Sequence, residues 1–381
     1  MFKKTLAAVA VVAAFTAGSA FAADVTLYGR IDAGLRYTNT DLDTTADAVD
    51  KFEMSSGNYT ANRFGLKGEE DIGNGLKVAF VLENGFNSDD GTFKTSNTLF
   101  DRQASLHLKG GFGELAFGRV GILNGTAGTF GIGNFSAMTT GWGTVGDQGQ
   151  IWGAGFGSRY DNTITYATPT FAGVKVLAQY SMGKNTGENT AGTDAWVENE
   201  SSADRYYGIG ATYDNGPLDL IAIVDVVNKS SWNAATNVSK GDVDDTVRVT
   251  VGGSYDFGVV KPYLAAAYFK DGAVGELAGL TYAAKGSVFD GWGVMAGVSA
   301  PLAGGKLSVT AGYLDAEDQA AGKADQKDMT RWIAGAGYEY KLSKRTTVYA
   351  DAGYGRDDID NVKEGQNPSY FQAAIGVAHN F

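Results

Sequence analysis

Leu76-Lys77-Val78-Ala79-Phe80-Val81-Leu82-Glu83 alternates strictly: Leu76, Val78, Phe80 and Leu82 share one side, and Lys77, Ala79, Val81 and Glu83 the other. A period of two is the signature of a β-strand whose faces meet different surroundings. Just before it stands Asp71-Ile72-Gly73-Asn74, whose Gly and Asn supply the positive φ of a tight hairpin. Working outward, the same reading places sixteen strands. They lie near 25–37, 60–69, 76–84, 102–109, 114–119, 161–168, 173–180, 205–213, 217–227, 246–257, 260–269, 291–301, 305–314, 330–341, 345–356 and 369–381.

Connections between these strands alternate short and long. The short ones are turns such as Gly110-Gly111-Phe112-Gly113, Asp214-Asn215-Gly216 and Leu302-Ala303-Gly304. The long ones fall at about 38–59, 85–101, 120–160, 181–204, 228–245, 270–290, 315–329 and 357–368. Eight long connections interleaved with seven short ones suit an all-β fold: a sixteen-stranded antiparallel transmembrane barrel with periplasmic turns and extracellular loops. A closed sheet of that width leaves an aqueous channel.

The 381 residues contain 54 Gly, 19 Tyr, 20 Phe, 5 Pro and no Cys. That composition fits a barrel, and the missing cysteines exclude disulfides and thiolate metal sites. Nothing points to a cofactor. A net charge of −12 argues against nucleic acid as a partner, which demands a basic patch. Lys3 and Lys4, an apolar run from Leu6 to about Ala17, and Ala20-Phe21-Ala22 read as a secretory signal peptide over 1–22, leaving 23–381 as the barrel domain.

Alternation also assigns charges to the lumen, because a charge on the lipid face costs about 2–4 kcal/mol at the bilayer midplane. Arg30 and Arg36 share a face with Asp32, opposite Leu27, Ile31 and Leu35; Arg63 and Lys67 lie opposite Phe64 and Leu66. The same rule groups Arg102 with Ala104 and Leu106, and Arg119 with Leu115 and Phe117, both outward sets. A subunit contact would shield Arg119 from lipid. Loop 120–160 is too long for a simple connection and holds twelve glycines, Trp142, Trp152 and one carboxylate, Asp147. The indoles read as packing anchors. Ser105 and His107 share a strand face, but no third group of a hydrolytic site is recognisable, so an enzyme is not expected.

The long loops carry 29 of the 43 acidic residues and 11 of the 31 basic ones, with Asp41, Asp43, Asp47 and Asp50 in the first and Asp357, Asp358 and Asp360 in the last. The plain reading is a solvated, self-repelling rim. The sharper one is that divalent cations bridge these carboxylates to lipopolysaccharide phosphates.

Val25-Thr26-Leu27-Tyr28-Gly29-Arg30-Ile31-Asp32-Ala33-Gly34 resembles the first strand of the general bacterial porins, most of all the neisserial and β-proteobacterial branch. The likeness continues through Asn62-Arg63-Phe64-Gly65-Leu66-Lys67-Gly68-Glu69-Glu70-Asp71, Asp101-Arg102-Gln103-Ala104, Gly118-Arg119 and Arg159-Tyr160-Asp161-Asn162 to Gly376-Val377-Ala378-His379-Asn380-Phe381. The resemblance implies a homotrimer of barrels passing ions and small hydrophilic solutes. In such proteins the third loop folds into each pore, and its acidic groups face a basic wall. That places Arg102 near the constriction, makes Asp147 the acidic candidate, and makes Phe381 part of an assembly signal. A sugar- or phosphate-specific channel, or a surface adhesin, are the competing expectations.

Overall fold

The computed structural model describes residues 24–138, 142, 146, 149–152, 156–183, 203–230, 232–233, 238–239, 244–279, 288–319, 327–360 and 367–381. The segment read as a signal peptide, and Asp147, lie outside the described residues.

The chain is an all-β, closed, sixteen-stave antiparallel barrel. The staves are β1 (Asp24–Asp41), β2a (Val49–Ser56) continued by β2b (Arg63–Gly73), β3 (Leu76–Gly85), β4 (Gln103–Gly110), β5 (Gly113–Gly121), β6 (Arg159–Ala167), β7 (Val174–Ser181) and β8 (Arg205–Asn215). They continue as β9 (Leu218–Asn228), β10 (Thr246–Tyr255), β11 (Lys261–Gly272), β12 (Phe289–Leu302), β13 (Gly305–Asp318), β14 (Met329–Lys341), β15 (Thr346–Ile359) and β16 (Ser369–Asn380). β16 pairs with β1 over Arg30↔Asn380 to Asp41↔Ser369, which leaves no free edge. Phe381 extends the closure: its N–H donates to the Gly29 carbonyl, and the Gly29 N–H donates back, both at 3.1 Å.

The faces divide as the alternation requires. Leu27, Ile31, Leu35, Leu106 and Phe117 are exposed on the outside, where lipid takes the place of water, while Asp32, Ser105 and Arg331 are buried inside. Trp292 with Tyr313, Trp332 with Tyr354, and Tyr180 with Tyr207 form an aromatic belt at the loop end. Tyr255, Phe257 and Tyr340 mark the turn end. Trp332 and Tyr340 are eight residues apart on β14, roughly 20–25 Å along the barrel axis once strand tilt is allowed for.

The wall is uneven in height. β4 and β7 have 8 residues and β5 and β6 have 9, whereas β12, β13 and β15 have 14.

The second stave differs from the sequence reading, which put a loop over 38–59 and a strand over 60–69. β1 runs on to Asp41 and β2a begins at Val49, so the loop is short, and the break falls at residues 57–62 instead.

Candidate pore constriction

The third loop lies inside the barrel, along the inner faces from β4 round to β14. Small inward residues of the wall make its bed. Ile132 rests on Gly210, Phe135 on Gly252, Ala137 on Gly297, Ile151 on Gly293 and Gly312, and Trp142 on Gly337. A Cβ at Gly252 would come within 3.1 Å of Phe135, and one at Gly297 within 2.8 Å of Ala137. Met138, Trp142, Ile151 and Trp152 are at most 2 % exposed, so the loop packs as a core would. Trp142 and Trp152 are both buried packing residues here.

Two buried ion pairs hold the loop. Arg248 grips Asp225 with Nε at 3.1 Å and Nη2 at 2.7 Å; its guanidinium stands 4.0 Å from the Phe156 ring, and Asn124 Nδ2 donates to Asp225 (3.3 Å) and Thr250 (2.7 Å). Asn124 and Phe156 belong to the loop's two limbs. Arg331 grips Asp357 at 2.6 and 2.7 Å and donates to the carbonyls of Gln150 (3.0 Å), in the short helix α1 (Gly149–Trp152), and Gly275 (2.9 Å). Asp357, counted above with the acidic rim, is therefore buried and committed inside. The outward acidic fringe keeps Asp47, Asp50, Asp89, Asp90, Asp358 and Asp360, all exposed.

The loop leaves the inner wall of β1 to β3 open, and the cations gather there and at the bend just ahead of β4. Arg30 Nη1 and Arg63 Nη2 donate to the same Thr60 Oγ1, at 2.8 and 3.0 Å. Arg102 Nε donates to Glu83 Oε1 at 2.7 Å, Arg63 Nη1 lies 4.0 Å from that oxygen, and Tyr28 Oη donates to Glu83 Oε2 at 3.0 Å. Arg159, at the start of β6, is within electrostatic reach of Arg102, Glu83 and Asp101. Four guanidinium groups thus surround two carboxylates, Glu83 and Asp101.

Arg30, Arg63 and Arg102 come together, but the other basic residues singled out in the sequence stand apart. Arg36, six residues up β1, pairs with Glu53 at 2.5 Å in the outer vestibule, about 20 Å along the strand. Lys67 faces inward below the cluster, its Nζ 5.2 Å from the centroid of Tyr28. Alternation misplaced Arg102 among the outward residues. It lies in a bend ahead of β4, where the backbone has left the strand twist, and its side chain turns into the lumen. Arg119 does sit on the outer set, but Asp161 supplies its ion pair and the Asp101 carbonyl accepts from its Nε at 2.7 Å. A second subunit is not required to satisfy it. The sequence reading assigns neither Arg159 nor Thr60 to the pore: it leaves Arg159 in loop 120–160, where β6 in fact begins, and starts a strand at Thr60, which in fact lies in the break between β2a and β2b.

Ser105 Oγ and His107 Nε2 are 2.8 Å apart, and His107 Nδ1 lies 2.8 Å from Glu114 Oε1. This has the connectivity of a nucleophile, base and orienting acid. All three face the lumen beneath the third loop, where Phe130 stacks on the imidazole at 5.7 Å and Gln103 bridges Ser105 to Thr129. Ser105 is 6 % exposed and His107 2 %. The chain of bonds satisfies buried polar groups and seats the loop. His379, by contrast, is near the surface and meets Thr346 Oγ1 at 3.0 Å.

The profile of the Gram-negative porins matches residues 7–360. An outer membrane porin protein of Bordetella pertussis is 32% identical over 415 residues, covering 100% of both chains. Outer membrane porin protein 32 of Delftia acidovorans is 32% identical over 92% of this chain and 89% of its own. Among solved structures, the anion-selective porin from Comamonas acidovorans superposes with a TM-score of 0.65 at 26% identity, over 94% of this chain and 100% of that one.

Proposed function

The chain belongs to the Gram-negative porin family and is a diffusion channel of the outer membrane, and from that premise we propose that its waist favours small anions. The observation that carries this reading is the convergence of Arg30, Arg63, Arg102 and Arg159 on a stretch of inner wall that the described part of the third loop leaves open. A solute threading between loop and wall sheds part of its hydration and meets guanidinium donors in exchange. Charges there act through a lower effective dielectric than charges at the mouth, so the acidic rim, screened over about 8–10 Å, does not decide the sign. The likeness to an anion-selective porin supports the same sign. Asp147 would supply the acidic side of the transverse field.

In a planar bilayer under a potassium chloride gradient, the reversal potential should report chloride as the more permeant ion. Arg63→Gln and Arg102→Gln should each move the permeability ratio toward potassium by roughly fivefold, about 1 kcal/mol of lost attraction at an effective dielectric near 20. Asp147→Asn should move it toward chloride. A cation-favouring wild type, or a ratio indifferent to both arginines, defeats this reading.

The assembly proposed is a homotrimer closed around the low side of the wall. A transmembrane strand needs about 9–11 residues, and β4 to β7, with 8 or 9, are marginal against lipid alone. Neighbouring subunits would cover that side, with Phe117 and Leu106 at the contact. The exposed rim carboxylates are proposed to bind lipopolysaccharide through divalent cations. Among the described residues no three His, Asp or Glu side chains cluster as a metal site, so lipid phosphates would have to complete the coordination. Light scattering in mild detergent should give three chains per particle. Chelation should lower the melting temperature in outer-membrane vesicles and leave lipopolysaccharide-free protein unchanged; equal responses leave only a solvated rim. Phe381, already in the closing ladder, is proposed as the terminal residue of the assembly signal; Phe381→Ala should slow membrane insertion.

A further inference from the structure

Pairing between β1 and its neighbour breaks at one place. The upper ladder ends at Ala33↔Ser56 and the lower one begins at Arg30↔Arg63. Two residues of β1, Ile31 and Asp32, therefore face six residues of the partner, 57–62, and the surplus folds into the lumen. Such an inward excursion leaves backbone groups to be satisfied, and an unsatisfied buried one is costly. Here each is met. Gly57, with φ +74°, turns the chain inward, and its N–H donates to the Asp32 carbonyl at 3.0 Å. Asn62 Oδ1 accepts the Asp32 N–H in place of a strand partner. The Asp32 carboxylate, fully buried, accepts from the Thr60 N–H at 2.7 Å and from Tyr349 Oη at 2.8 Å.

The tip of the excursion reaches across three further staves. Asn58 Nδ2 donates to Asp351 at 2.6 Å and Asn58 Oδ1 accepts from Gln372 at 3.1 Å. Tyr59 Oη donates to Glu339 at 2.7 Å. The Tyr59 ring stacks on Tyr349 (5.2 Å) and meets Trp142 of the third loop edge-on at 4.8 Å. The third loop covers the wall as far as β14; residues 57–62 cover β15, β16 and the middle of β1.

We propose that the segment 57–62 is a second constriction element of the pore, joined to the third loop through Tyr59 and Trp142, with Thr60 as the residue that positions Arg30 and Arg63. Two guanidinium groups repel, and a hydroxyl oxygen with two acceptor sites can take one N–H from each. Thr60 Oγ1 does so, holding both charges at one height in the lumen. The sign of the selectivity effect rests on the anion-favouring waist proposed above; the effect on pore width does not.

Two variants of the full chain, reconstituted in planar bilayers, test this. Deleting residues 58–61 leaves Gly57 and Asn62 to face Asp32 and Ile31, so the second stave becomes continuous. Single-channel conductance should rise, on the order of twofold, as a wall of the waist is removed. Thr60→Val keeps the shape but removes the shared acceptor; chloride preference should fall by roughly twofold, and Thr60→Ser should restore it. An inserted deletion variant with wild-type conductance overturns the proposal. So does a Thr60→Val channel with the wild-type permeability ratio where Arg63→Gln shifts it, a result that leaves the anion-favouring waist standing and removes only this segment from it. If the deletion variant fails to insert, the Thr60 pair decides alone.

Discussion

Arg331→Met should destabilise the barrel by about 3–5 kcal/mol, because it strips a buried carboxylate of its guanidinium. Arg331 is 1 % exposed and Asp357 not at all, and their two parallel hydrogen bonds are 2.6 and 2.7 Å long. A pair this deep gains much of its Coulomb energy back only as desolvation cost, so removing both partners is far milder than removing one. The double variant Arg331→Met/Asp357→Leu should therefore recover most of the lost melting temperature. It should not recover quiet channels. The guanidinium also holds the carbonyls of Gln150 in the third loop and Gly275 in a neighbouring one, and methionine has no donors for either. Thermal melting followed by circular dichroism, together with current recordings at high voltage, separates the two roles. A double variant as noisy as the single one but nearly as stable as wild type is the expected pattern. Wild-type noise in either variant would show that the loop is anchored elsewhere.

Gly337→Val should narrow the pore while disturbing little of the barrel wall, because a loop lifted off β14 moves toward the open wall of β1 to β3. The side chain would enter the space that the Trp142 ring fills, and a packed indole cannot yield without moving the loop. Overpacking of this kind costs about 1–3 kcal/mol, less than the sheet's own hydrogen bonding resists, so the loop and not the strand should give way. Ala336→Val, one residue earlier on the same strand, faces lipid and should leave conductance unchanged. Combining Gly337→Val with Trp142→Ala should relieve the clash and return stability toward wild type, though not the width of the waist. Equal conductance in Gly337→Val and wild type would mean that Trp142 does not help to set the waist.

How much of this was legible in the chain follows from where the constraint acts. The staves of a barrel separate lipid from a wet lumen over their whole length, so a slip of one residue would expose every charge to hydrocarbon. That constraint writes a period of two into each strand, and sixteen staves, their turns and the lumen side of Arg30, Arg36, Arg63 and Lys67 can be read from it, the segment β2a excepted. It falls silent wherever the backbone leaves the strand. Arg102 sits in a bend and Arg159 at a strand start, so alternation had no hold on either. Residues 57–62 carry the polar, glycine-led composition of an ordinary loop, and only closure of the sheet sets them against Glu339, Asp351 and Gln372, about 280 to 310 positions away. The bed of glycines beneath the third loop is likewise unreadable strand by strand, since each Gly in isolation is only a missing side chain. Alternation along the chain specifies the barrel, its membrane-facing surface and the side on which charges within regular strand lie. Which of those charges meet, and how narrow a passage they enclose, was decided by tertiary structure, because the inner surface is filled by segments packed against strands distant in the chain.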